Sequence, residues 1–227
     1  MLQWRDHSCG LALDEMLWLE GRGLYAEAPC GGCYSSSPLY RCTDCFGGQL
    51  FCQECTVSMH SRSPFHTIEV GRPFIFVPEQ PSDPAMSQHW NDDFFERVSL
   101  KSLGLRMQLG HRPGATCVNP KRSSNDNFVV IDCNGIHEVA LDYCACEGAK
   151  SAKVQLLRSA LYPVTSMNPK SAATFRLMKF FHVLSFESKC SGYEFYNTLS
   201  RCTDNIGVNA SRVRIYFSRI IHFTEIT

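Results

Sequence analysis

Apolar residues follow different rhythms in different parts of the 227-residue chain. The opening segment LALDEMLWLEGRG sets Leu11, Met16, Leu17 and Leu19 at spacings compatible with a short helix, stopped by Gly21 and Gly23. This predicts a lead-in or docking helix within residues 1–29. Farther on, FFERVSLKSLGLRMQLG is apolar and ends at Gly110, and a loop rich in Pro, Gly, Asn and Ser then runs to Asn127. FVVID (128–132) and IHEVALDYCAC (136–146) are β-rich runs joined by Cys133-Asn134-Gly135, which predicts an antiparallel hairpin. From Ser151 the period changes, and AKVQLLRSALY, SAATFRLMKFFHVLSFESK, GYEFYNTLSRC and ASRVRIYFSRIIHF read as helices. Their separators are YPVTSMNP, CSG and TDNIG. The fold class expected is α+β, with a C-terminal helical segment and no internal repeat.

Two stretches carry no such rhythm. Residues 30–70 are dominated by cysteine and glycine, and the connector at 71–90 holds Pro73, Pro78, Pro81 and Pro84, which disfavour regular structure. The second reads as a Pro-rich linker and sets the start of the following domain at residue 91, with its end at 222. No apolar run reaches the ~18 residues of a membrane span, and the N-terminus lacks the basic-then-apolar order of a secretory signal. An intracellular protein is therefore expected, with no membrane partner. Thirteen cysteines in a reducing compartment, an odd number clustered in pairs, point to metal ligation and not to a disulfide framework.

The first stretch reads CGGCYSSSPLYRCTDCFGGQLFCQECTVSMHSRSPFH. Cys30, Cys33, Cys42, Cys45, Cys52, Cys55, His60 and His66 supply eight soft or borderline ligands, enough for two tetrahedral zinc ions. Two residues between paired cysteines let both thiolates face one ion from a tight turn. Metal would here replace a core. The spacing C-x2-C-x8-C-x2-C-x6-C-x2-C-x4-H-x5-H resembles the B-box zinc finger. That resemblance implies a cross-braced pairing, with Cys30, Cys33, Cys52 and Cys55 on one ion and Cys42, Cys45, His60 and His66 on the other. The spacing alone leaves sequential pairing open. Closed four-ligand sites have no position for water, so both ions are expected to be structural.

A third zinc site is expected about the hairpin. Cys144 and Cys146, two apart at the end of a strand, point to one face and can converge on one ion. His111, Cys117 and His137 compete for the remaining places. His137 sits beside the turn, and seven residues at ~3.3 Å each put it roughly 23 Å from Cys144 along an extended strand. His111 and Cys117 precede the first strand, whose start pairs with the end of the second. The set expected is His111, Cys117, Cys144 and Cys146, with His137 as the alternative ligand if the strand is short or bent.

Further matches lie before and after Cys117, as far as Gly207. LKSLGLRMQLGH, then NGIHEVALDYCAC, QLLRSALYPVTSMNPKSAATF and YEFYNTLSRCTDNIG resemble the CxC2-like cysteine cluster domain associated with KDZ transposases of fungal mobile elements. Cys144-Ala145-Cys146 is taken as the naming C-x-C. In that family a cysteine-rich region precedes the cluster domain and a catalytic RNase H-like domain follows it. Here no set of carboxylates for two-metal phosphoryl transfer stands out, since Asp132 and Asp142 fall in or beside the hairpin as polar strand positions. The resemblance thus implies a non-catalytic accessory region of a transposase, with DNA, transposase or chromatin proteins as partners, no small-molecule substrate, and a nuclear location.

Charge adds a direction to this. Residues 1–97 hold 6 Lys and Arg against 13 Asp and Glu, and the remainder 16 against 9, so the formal net charge of zero hides an acidic first part and a basic second. Two stretches, 99–125 and 148–186, contain no acid. Lys150, Lys153, Arg158, Lys170, Arg176 and Lys179 in the second are the candidate nucleic-acid contacts. The acidic finger suits protein partners better, which makes an interaction scaffold the competing function. A ubiquitin ligase is disfavoured because the histidines come last, unlike the ligand order of a RING.

Overall fold

The computed structural model describes residues 8–35, 38–73, 93–112, 115–123, 126–164 and 168–204. Its contacts divide the chain into two compact units, one of residues Met1–Met59 with His66–Val98 and one of His60–Phe65 with Ser99–Thr227. The expected helix ASRVRIYFSRIIHF lies outside the described residues, as do residues 74–92 of the Pro-rich region.

In the first unit, helix α1 (Cys9–Glu20) buries none of its side chains. Its C-terminal end is held by Arg41, whose Nη1 donates to the carbonyls of Leu19, Glu20 and Gly21 at 2.9, 3.2 and 3.0 Å. These carbonyls have no partner within the helix, so a guanidinium satisfies both their hydrogen bonding and the negative end of the helix dipole. Arg41 is itself fixed by Glu69 at 2.8 Å and by the ring of Phe95 at 3.6 Å. Strands β1 (Tyr40–Cys42), β2 (Ile68–Pro73) and β3 (Asp93–Val98) form an antiparallel sheet in that order. The short helix α2 (Gln53–Met59) precedes β2. Among the described residues of this unit, the buried hydrophobic side chains are Leu50, Ile68 and the thiols Cys30 and Cys42. Two aliphatic side chains do not make a core.

The second unit is built on a six-stranded sheet. Strands β4 (Arg106–Gln108), β5 (Pro120–Arg122), β6 (Phe128–Asp132), β7 (Gly135–Cys144), β8 (Leu161–Pro163) and β9 (Ser171–Thr174) run in the order β4-β7-β6-β9-β8, and β5 also pairs with β7. β6 and β7 form the antiparallel hairpin, closed by the pair Asp132 and Gly135. Residues alternate between faces along β6, so that Phe128 and Val130 join one cluster with Leu109, Val139, Leu141, Leu156 and Leu161. Ile131 joins the other, with Ile136, Leu177, Phe181, Phe195 and Leu199. Both faces are therefore covered, one by α3 (Ala152–Arg158) and the other by α4 (Phe175–Ser188) and α5 (Gly192–Thr203). This explains why the first four residues of FVVID are all apolar.

Two helical expectations change at their ends. The pattern of SAATFRLMKFF predicts helix from Ser171, but Ser171–Thr174 is buried at every position and pairs with β6 and β8. Alanines on both faces suit a strand sandwiched between layers, and the helix begins only after Thr174, whose hydroxyl accepts from Leu177 N at 3.2 Å. AKVQLLRSALY likewise breaks at Ala160, which has φ 57°, and its last residues enter β8. Pro163 is tolerated there because β8 is an edge strand. α5 opens with a capping box between Ser191 and Glu194.

Candidate metal centres

Three groups of four side chains converge in this fold. They are Cys30, Cys33, Cys52 and Cys55; Cys42, Cys45, His60 and His66; and His111, Cys117, Cys144 and Cys146, and within each group all donor atoms lie within 4.8 Å of one another. The first two groups interleave along the chain, the arrangement of a cross-braced pairing.

In the first group the Cys30–Cys33 turn is closed by Tyr34 N donating to Cys30 O at 3.0 Å and by Cys30 N donating to Ser35 O at 2.9 Å. Tyr34 adopts a positive φ of 61° to do so. Gly32 has no alternative, because a Cβ there would lie 2.8 Å from Cys55 Sγ. The Cys30 sulfur accepts from Cys52 N at 3.2 Å and Gly32 N at 3.4 Å. Burial pushes this thiol up, yet backbone N–H groups of Cys33, Cys52 and Gly32 outweigh it and bring it down to about 6. The second group is knitted by Thr67 N to Asp44 Oδ2 at 2.6 Å and Thr43 N to Thr67 O at 3.1 Å, which bring His66 over the Cys42–Cys45 turn. Burial pushes the Cys42 thiol up to about 12. A cation is what would ionise such a thiol to the thiolate at neutral pH.

The third group is assembled by β7 with a strand on each edge. Asp142 pairs with Gln108 of β4 and with Arg122 of β5. The β4 pairing continues through Leu109 N to Asp142 O at 2.8 Å and delivers His111, and β5 places Pro120 opposite Cys144, three residues beyond Cys117. Gln155 of α3, only 4 % exposed, holds the backbone of Cys144. Its Oε1 accepts from Cys144 N at 2.8 Å, and its Nε2 donates to Cys144 O at 2.9 Å and to Lys150 O at 2.7 Å. Gly110, at φ 84°, lies so close that a Cβ would stand 2.5 Å from Cys144 Cβ and 2.8 Å from Gln155 Oε1. Neither Gln155 nor Gly110 was expected from sequence; the only signal is a polar residue on the apolar stripe of a helix beside Leu156, and a glycine adjoining a ligand candidate.

Separations within the groups fit a small tetrahedral ion. Metal–sulfur bonds of about 2.3 Å and metal–nitrogen bonds of about 2.05 Å put neighbouring sulfurs ~3.8 Å apart and sulfur and nitrogen ~3.6 Å apart. Cys33 and Cys52 Sγ are 3.7 Å apart, and Cys117 and Cys146 Sγ 3.6 Å. His66 Nδ1 is 3.5 Å from Cys42 Sγ and 3.4 Å from Cys45 Sγ, and His111 Nε2 is 3.9 Å from Cys146 Sγ. His137 stays away from the third group, at the turn end of β7, where its Nε2 is 2.8 Å from Asn134 Oδ1. Cys9, Cys133, Cys190 and Cys202 join none of the three groups.

The other named residues fall elsewhere. Lys150, Lys153, Arg158, Lys170 and Lys179 are exposed. Arg176 is exposed too, but its guanidinium is bound to the carboxylate of Asp132, which is 0 % exposed. Asp126 and Asp142 both bind Arg106, at 2.8 and 2.7 Å.

These features define an α+β protein with three thiolate and imidazole groups able to hold metal ions, one of them inside a sheet domain. Residues 100–207 match the family described as CxC2 like cysteine cluster associated with KDZ transposases, a span that contains the whole third group. No curated protein and no solved structure matches the chain. No described helix is long and apolar enough to cross a membrane.

Proposed function

We propose that the chain is a zinc-binding, non-catalytic accessory region of a KDZ-type transposase that recognises DNA or chromatin in the nucleus. The observation that carries this is the third group, four ligands converging within the segment that matches the transposase-associated family. Four thiolates, or thiolates with one or two imidazoles, favour zinc over hard cations. Four protein ligands fill a tetrahedral ion, which supports a structural role for all three. The interleaved pairing of the first two groups supports a B-box-like finger over residues 30–70. Engagement of Asp126, Asp132 and Asp142 by arginines supports the absence of a two-metal site, and exposed Lys150, Lys153, Arg158, Lys170 and Lys179 support contact with phosphates.

The test is fluorescence anisotropy of the zinc-loaded chain with a labelled duplex across a range of salt concentrations. Affinity falling steeply with salt is expected, because phosphate contacts release counterions. A flat response would count against DNA binding. One observation favours a protein-interaction scaffold instead: α1 leaves Leu11, Leu13, Met16, Leu17, Trp18 and Leu19 all exposed on an acidic unit.

A further inference from the structure

We infer that the nucleic-acid contact of the second unit is centred on a phosphate-binding cavity beside the third metal group, with Lys150 and Arg158 as its cations. This rests on the DNA-binding reading above and names where on the surface it acts. A cavity of about 300 Å³ is lined by His111 and Cys144 of the metal group, by Lys150 and Arg158, and by Gln155 and Ser159. Lys150 and Arg158 come from the two ends of α3 and its lead-in, yet reach one space. Neither makes an ion pair among the described residues. The acid nearest in sequence, Glu147, does not line the cavity.

The other candidate cations are placed differently. Arg176 is committed to Asp132, and Lys153, Lys170 and Lys179 do not line this space. Charge identifies the ligand. Three thiolates and a neutral imidazole around a divalent ion leave one negative charge, and two cations turn it into one positive. That is the complement of a single phosphodiester. A polar cavity with a side-chain hydroxyl at its rim offers little to an apolar ligand.

The metal group is also tied to the cavity. Gln155 holds Cys144 by two hydrogen bonds and the carbonyl of Lys150 by a third, so that the ligand turn and the lysine share one anchor. Phosphate binding at this place therefore depends on an intact third group.

The full, zinc-loaded chain is titrated against a labelled duplex in anisotropy at several salt concentrations, as wild type, as Lys150→Gln/Arg158→Gln and as Lys189→Gln/Arg201→Gln, two exposed cations that do not line the cavity. Each pair removes the same charge from exposed positions, and zinc content checks that each variant is folded. The inference predicts that the Lys150/Arg158 variant loses about tenfold or more in affinity and that its salt slope falls by about one, with the control pair near wild type. Equal weakening by both pairs would overturn it in favour of a diffuse basic face. Weakening by the control pair alone would overturn it too, while leaving DNA binding in place. A wild type that binds no duplex would remove the DNA-binding reading and this inference together.

Discussion

Asp132 ends β6 fully buried and gathers donors from two other elements. Thr174 Oγ1 donates at 2.7 Å, Cys133 N at 2.8 Å and Arg176 Nε at 2.6 Å. Thr174 also caps α4, so one carboxylate joins a strand end, a helix cap and the first turn of that helix. Burial acts to raise the pKa of Asp132, but Arg176, Thr174 and the Cys133 N–H together bring it below the ordinary carboxylate value. A depressed folded pKa contributes stability above the unfolded pKa, and that contribution is lost as pH falls through the folded value. Asp132→Asn is expected to cost about 2–3 kcal/mol at pH 7 in chemical denaturation. The gap between variant and wild type should close as pH drops below about 4, and metal release, common to both, cancels in the difference. A gap unchanged between pH 7 and pH 3 would show that the charge of Asp132 contributes nothing. Sequence reading took Asp132 as an ordinary strand polar and Arg176 as a candidate DNA contact. The two lie 44 residues apart, and no local pattern reports such a pair.

At the scale of elements, strand register explains what was legible. Two cysteines, two apart at the end of a strand, and a hairpin signal beside them select His111 and Cys117 over His137, because distance along an extended strand is set by backbone geometry alone. The turn itself differs in detail: Cys133 and Asn134 are its central residues, and Gly135 already belongs to β7. What could not be read was the content of β8 and β9. Their residues continue a helical pattern on each side, and tertiary pairing with β6 overrides it. Phe175 and Phe180 also stay exposed on α4 while Met178 and Phe181 are buried. Gln155 was invisible for a related reason, since one glutamine in AKVQLLR carries no sign of which backbone it will hold. Second-sphere partners of this kind set the orientation of metal ligands. Gln155→Leu should lower the affinity of the third site by about 10- to 100-fold in chelator competition and leave the first two sites unchanged. Equal affinity at all three sites in the variant and wild type would show that α3 does not organise Cys144.

For the molecule as a whole, metal has different work in the two units. The first buries only Leu50 and Ile68 besides its cysteines among its described hydrophobic side chains, too little to offset the conformational entropy of ordering such a chain. Its folding should follow its metal, as in other small metal-built domains. The second has two apolar clusters on opposite faces of a sheet, so its metal fixes one end of an existing core. Charge divides along the same line, acidic residues in the first part and basic in the second. The chain is expected to hold three metal ions, the third of them in the basic unit. Native mass spectrometry of the intact chain and of Cys144→Ser/Cys146→Ser tests it most directly. Three zinc ions falling to two is the result predicted here. Two zinc ions in both proteins would contradict it, confining metal to residues 30–66 and leaving Cys144 and Cys146 as ordinary thiols.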